Sequence, residues 1–298
     1  MMGWIRRASM TRLVLAAGVV LVIAIAGVLA LTRRGDDAKP PPPASIGDLA
    51  ALVSRDSPQG LTADVTVTSD VGHAASTSGK LWWKPGSLRL DLGSGDDAVR
   101  LVLVDNRVVI SGNGRTLAAK LPFGASLEPL LGQLGQTWAI EPPQSVVAGG
   151  RPAYEVRVAS RDPESQLGGI AVAIGATSGL PVRLVISGAD GSPAVTVELT
   201  DVHVGPVDDA VFAAPASGAE DVPVPRTVGS GLGTVLVWTD ADLPLPERIW
   251  DGAETVPVGT GTGEALVTPA GGLVRFTRGG HTYVVAGLAG PERLAATV

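Results

Sequence analysis

The 298-residue chain contains no cysteine. That excludes a disulfide framework, thiol chemistry and a lipobox-type lipoprotein anchor, so folding rests on the apolar core alone. Histidine is nearly absent as well. His73, His203 and His281 lie far apart, and none has a second ligand at the helical or hairpin spacing that zinc requires. No serine stands in a Gly-x-Ser-x-Gly elbow. The glycine-rich run Gly259–Gly263 lacks the Gly-Lys-Ser/Thr ending of a phosphate loop and reads as a flexible loop. Asp96-Asp97 and Asp208-Asp209 are adjacent carboxylates in predicted loops, where they point apart and are solvated. Asp240 and Asp242 read as turn residues, since no further oxygen-rich spacing follows them. No catalytic constellation, metal set or cofactor motif emerges, and the chain is expected to be no enzyme. Repeats, coiled coils and long low-complexity tracts are missing too.

Basic charge is scarce outside the N-terminus. Of 23 basic and 29 acidic residues, six basic (Arg6, Arg7, Arg12, Arg33, Arg34, Lys39) and two acidic (Asp36, Asp37) lie in residues 1–39. The remainder keeps 17 and 27, a net charge of −10. Such a body does not bind nucleic acid through its phosphates, and it offers no broad basic face to anionic headgroups.

The N-terminus is the reverse. Leu13–Leu31 is an uncharged apolar run; at 1.5 Å per residue it reaches roughly 28 Å, about the thickness of a bilayer's hydrocarbon core. Arg6, Arg7 and Arg12 precede it, while Asp36 and Asp37 dilute Arg33 and Arg34 beyond it. That bias favours a cytoplasmic N-terminus, and the body would then be extracytoplasmic on a single-pass anchor. A cleaved signal peptide competes with this reading. The run is long for one, and no small-x-small site precedes Arg33.

Between anchor and body, residues 40–44 form a stiff Pro-rich spacer. A capping box at Ser45 and Asp48, with Ile46, Leu49 and Val53 at helical spacing, predicts a short helix to about Arg55. Strands follow in quick succession. In Gly79–Val104, Leu88, Leu90 and Leu92 alternate with Ser87, Arg89 and Asp91 around a Pro85-Gly86 turn, the mark of an antiparallel sheet apolar on one side. Val65 and Val67, then Leu101 and Leu103, then the runs 108–110 and 116–120 continue the pattern, with Asn113-Gly114 as a hairpin turn. Leu127, Leu130, Leu131 and Leu134 break it at i, i+3, i+4 and i+7, which predicts a short helix with Ser126 as N-cap. Strands resume over 153–159, 169–174, 182–187 and 194–204. Residues 213–231, rich in Pro, Gly and small residues, read as a linker. Residues 232–298 predict a small module, with strands near 234–238, 264–267, 273–277 and 281–286 and a final helix from Pro291. Periodicity alone leaves two arrangements open. The strands pack on the 127–134 helix as a closed core, or they form a partly open concave sheet with that helix as plug or lid.

Several landmarks resemble the LolA/RseB-like superfamily in that family's order. They are the Gly79–Arg89 hairpin, the strand and turn Leu101–Asn106, the helix at Ser126–Leu134, and the strand Gly150–Arg157 with Tyr154. The Thr177-Ser-Gly-Leu-Pro-Val-Arg183 turn and the closing run Asp201–Phe212 with Pro215 follow. These cover residues 45 to 225; Ala176 departs from the family's acid-containing run, and the central helix is short. Gly279–Val298 resembles the closing stretch of MucB/RseB-type regulators.

The resemblance implies a mainly β protein: an antiparallel half-barrel over 45–212 with a short central helix, and a small C-terminal β domain. It implies acyl chains of a lipid or lipoprotein held on the concave face by Trp82, Trp83, Leu90, Leu101, Leu103, Leu127, Leu130, Leu131, Leu134, Val156 and Leu184. Trp82 and Trp83 are neighbours on a strand, so one indole points in and the other out. Lys84 stands where the family has a basic residue at the mouth. It would meet the ligand's polar head, or it is only an edge-strand charge. A regulator contacting an anti-sigma factor is the implied role. A lipid or lipoprotein carrier and a structural envelope protein without ligand are the alternatives.

Overall fold

A computed structural model describes residues 59–298, apart from 70–74, 96–97, 106, 113, 121–137, 163–164, 214–217, 230–233, 241–249, 251–252 and 269–270. The expected anchor, spacer, first helix and the 126–134 helix all lie outside the described residues.

The alternating segments form one large sheet. Its strands are β1 (Leu61–Ser69), β2 (Ala75–Lys84), β3 (Ser87–Leu92), β4 (Val99–Val104), β5 (Arg107–Gly112), β6 (Arg115–Lys120), β7 (Trp138–Ile140), β8 (Gln144–Ala148), β9 (Arg151–Ser160), β10 (Leu167–Gly175), β11 (Pro181–Gly188), β12 (Pro193–Val204) and β13 (Glu220–Asp221). The order is β13-β6-β5-β4-β3-β2-β1-β12-β11-β10-β9-β7, with β8 also on β9. Two antiparallel meanders thus meet where β1 pairs with β12, and β13 alone is parallel to its neighbour. Turn chemistry explains the meanders: Gly86, Gly114 and Gly191 all take positive φ where one strand turns back into the next.

Register sorts the side chains into two faces. One carries apolar rows that run straight across neighbouring strands. Ala63, Leu81, Leu90, Leu101 and Ile110 make one row, and Leu61, Trp83, Leu88, Leu103 and Val108 the next. In the other meander Val156, Val172, Leu184, Val197 and Val67 line up in the same way. A sheet of this many strands coils rather than lying flat. The apolar face is its inner side, and the residues there form a single core cluster.

Residues 213–231 are not free of structure. Glu220–Asp221 joins the first sheet as β13, and β14 (Arg226–Val228) joins a second. That second sheet also holds β15 (Val235–Thr239), β16 (Glu254–Val258), β17 (Gly261–Thr268), β18 (Gly271–Arg278) and β19 (His281–Gly287), in the order β14-β15-β19-β18-β17-β16. Helix α1 (Pro291–Ala296) closes its core. Leu294 of α1 is fully buried over the paired glycines Gly272 and Gly287. A Cβ at those glycines would lie 3.4 and 2.8 Å from the leucine methyls. The missing side chain at Gly287 is what lets the leucine sit this close, whereas Gly272 leaves room for an ordinary contact.

Candidate ligand-binding face

The inner face of the large sheet is built from alternation alone. Each strand contributes every second residue, so the face is apolar wherever the sequence alternates. Its middle is closed: Leu90, Leu101 and Val65 are buried to 1% exposure or less. Its two ends are not. Trp83, Leu103 and Ile110 in one meander, and Tyr154, Val156 and Val158 on β9, are only half-buried although they pack on the same core. Ser69 is the one buried polar residue of the inner rows among the described residues.

Of the residues expected to meet a ligand, Trp83, Leu90, Leu101, Leu103, Val156 and Leu184 lie on this face. Leu127, Leu130, Leu131 and Leu134 lie outside the described residues. Trp82 and Lys84 lie on the opposite, outer side, so Trp82 is the outward one of the two neighbouring indoles. Trp82 is paired with Arg89 across β2–β3, and the Arg89 guanidinium lies 4.9 Å over its indole. Lys84 shares Trp82's parity, so it cannot share Trp83's face. Its ammonium forms an ion pair with Asp209 and lies 5.0 Å from the Phe212 ring.

A single short turn, Asp209–Phe212, explains this outer cluster. Asp208 caps it by accepting from the Ala210 amide at 2.9 Å, and Phe212 is buried against the sheet. Arg89 donates to the Val211 carbonyl at 3.0 Å and to both oxygens of Asp91. Arg100 reaches Asp91 from β4 at 3.0 Å. Burial pushes the Asp91 carboxyl up, but the hydrogen bonds and charges of Arg89 and Arg100 outweigh it and hold it below its ordinary value. These groups strap residues 208–213 to the back of the sheet. Phe212 was visible in the closing motif of the sequence; Lys84, which lies over its ring, and Arg89, which holds the Val211 carbonyl, are more than a hundred residues away and carried no local signal.

Two described histidines are exposed near strand ends, His203 in β12 and His281 at the start of β19, each beside one carboxylate: His203 with Asp201 at 3.2 Å, and His281 with Asp240 at 2.5 Å. Among the described residues no three His, Asp or Glu side chains converge as a metal site would require.

No protein-family model matches the chain, and no curated protein matches it in sequence. Solved structures do match in shape. The Pseudomonas aeruginosa MucA/MucB complex superposes at 17% identity with a TM-score of 0.51, covering 83% of this chain and 96% of that one. A crystal structure of MucB gives 16% identity, a TM-score of 0.51, and coverage of 84% and 96%. The fold is LolA/RseB-like. A LolA superfamily protein from Nitrosomonas europaea also matches, at 7% identity, a TM-score of 0.30, and coverage of 55% and 94%. Coverage above four-fifths of the chain exceeds what residues 59–212 can supply, so the MucB likeness extends into the second sheet.

Proposed function

We propose that this chain is a non-catalytic, membrane-anchored envelope protein that holds acyl chains of a lipid or lipoprotein on the inner face of its half-barrel, as part of a MucB/RseB-type regulator. The observation that carries the reading is the inner face itself. It is apolar from β5 to β9, closed in the middle and half-open at Trp83 and Leu103 and again at Tyr154 and Val156. Alkyl chains gain about 0.8 kcal/mol per buried methylene, and such a face supplies burial without demanding any polar partner. The crystallised MucA/MucB complex and the second sheet support a protein partner for the same chain. Leu13–Leu31 would tether the body on the extracytoplasmic side.

The test is a titration of the purified full chain with fluorescently labelled dodecanoate, beside native mass spectrometry for lipid carried from the host. Saturable binding is expected. Val156→Glu should weaken it at least tenfold, because a carboxylate at an apolar contact costs several kcal/mol unless it is paired. Val156 is half-buried, so the melting temperature should fall by only a few degrees. No saturable binding to the wild type, or equal affinity for wild type and V156E, would exclude the inner face as an acyl site.

A further inference from the structure

Among the described residues the small module and its leading segment touch the large sheet at two places, toward opposite ends of the strand order. One is β6, where Glu220 and Asp221 add in parallel beside Leu117 and Ala118, and the Val222 amide donates to the Ala118 carbonyl at 2.7 Å. Arg115 pairs with Glu220 at 2.7 Å and Arg107 with Asp221 at 3.1 Å. Four residues later β14 enters the second sheet, and Trp238 of β15 donates to the Pro223 carbonyl at 2.7 Å. The segment 220–228 is therefore strand in both sheets with a short bridge between.

The other place is the turn between β9 and β10. Ser165 makes an isolated antiparallel bridge with Ala289, and the Gln166 amide donates to the Leu288 carbonyl at 3.1 Å. Arg293 of α1 reaches Asp162 at 2.5 Å, and Leu288 packs into the core of the large sheet. From β6 to β10 the order counts eight steps across the sheet, a contour of about 38 Å at the usual strand spacing.

We propose that the C-terminal module is a clasp across the two ends of the curved sheet, and that it sets how far the half-barrel opens. An antiparallel sheet that is closed only by its own coil can flatten or tighten, because neither end strand is paired to the other. Here both ends are tied to one small body with its own buried core. The two ties differ in strength. The β6 tie is a two-residue ladder and two partly solvated ion pairs; each pair is weak, but in so short a tie the loss of both is enough to free it. The β9–β10 tie adds the half-buried side chain of Leu288, which packs against the large core. The β6 tie is thus the one that gives when the sheet widens.

The inference deepens the acyl-binding reading, since the opening it sets is the entrance to that face, but its test stands apart from any ligand. The chain lacks cysteine, so two introduced cysteines label it cleanly. Spin labels at Lys120→Cys on β6 and Val147→Cys on β8, both exposed, report the separation of the sheet's ends. The full chain should give one narrow distance distribution. Arg107→Ala with Arg115→Ala should broaden it toward longer distances, and amide exchange over 218–222 should accelerate while 288–294 stays protected. Exchanging the charges of one pair, Arg115→Glu with Glu220→Arg, should restore the narrow distribution and guards against a variant that misfolds. An unchanged distribution in the double-alanine variant would overturn the clasp. Labelled dodecanoate then separates the two readings: failure to bind removes the acyl reading and leaves the distance result intact.

Discussion

Glu155 is the buried carboxylate with most at stake. It is about 5% exposed on β9, and it accepts from Arg157 at 2.9 Å and from Arg183 of β11 at 2.9 Å. Arg183 also reaches the Val147 carbonyl of the outlying strand β8. Burial raises the Glu155 carboxyl, but hydrogen bonds from Arg157 and Arg183 and their charges outweigh it and hold it below its ordinary 4.5. A carboxyl lowered in the folded state stabilises above the unfolded pKa and loses that contribution as pH falls through the folded one. Glu155→Gln removes the counter-charge while Arg183 stays three-quarters buried. Breaking a fully buried pair costs about 3–5 kcal/mol; the exposure of Arg157 reduces this to about 2–3 kcal/mol at pH 7. Urea unfolding of wild type and variant at pH 7 and pH 3 checks it. The gap should close in acid, where the wild type also loses its charge, and a gap constant with pH would mean the pair adds no net charge stabilisation. Residues of this kind show how far the sequence could be read. Parity put Trp82 and Lys84 on one face and Trp83 on the other. Which of the two faces was the inner one depended on Leu61 and Leu88 beside Trp83, and on Asp209 and Phe212 beside Lys84. The resemblance placed Lys84 at the mouth, and distant partners place it under a strap instead.

The hairpin β2–β3 needs two glycines for different reasons. Gly86 takes φ of 79° in the turn, with open space around the missing Cβ. Gly79 has an ordinary strand conformation, but a Cβ there would lie 1.9 Å from the Asp91 carbonyl oxygen. Gly86→Ala should therefore cost about 1 kcal/mol, the penalty of a left-handed non-glycine residue. Gly79→Ala should cost about 3 kcal/mol or more, since backbone must move on a strand at the centre of the inner rows. Comparing denaturation midpoints of the two variants tests this; equal losses would mean that β3 yields freely at Asp91. At this scale the sequence announced strands that alternate and missed those that do not. β7 and β8 lie either side of Pro142-Pro143 and are too short for a period to show. β16 carries Pro257 at a sheet edge, where a missing amide is tolerated. β13 is Glu-Asp, and its pairing uses backbone and two arginines rather than apolar side chains. The helix at 127–134, the part of the expected site with the clearest helical spacing, lies outside the described residues.

The described residues hold two large cores that share little, beside a small third cluster of Ala148, Ala153, Ala173 and Val182. Leu101 and its neighbours form the first cluster, and Val274, Val285 and Leu294 lie in the second. Among the described residues the ties between the two large cores are short ladders, the Arg107, Arg115 and Arg293 ion pairs, and the half-buried side chain of Leu288. Cooperativity requires that one core fail when the other does, and contacts of this size do not enforce it. Calorimetry of the full chain should show two transitions. Leu294→Ala should lower one of them, by about 2–5 kcal/mol of stability, because the methyls over Gly272 and Gly287 have no other group to fill the space. Leu101→Ala, at a fully buried position in the first core, should lower the other by a similar amount and leave the first in place. A single transition that both substitutions shift together would show that the ties transmit far more than their size implies. The small module would then be a structural part of the half-barrel and no separable clasp.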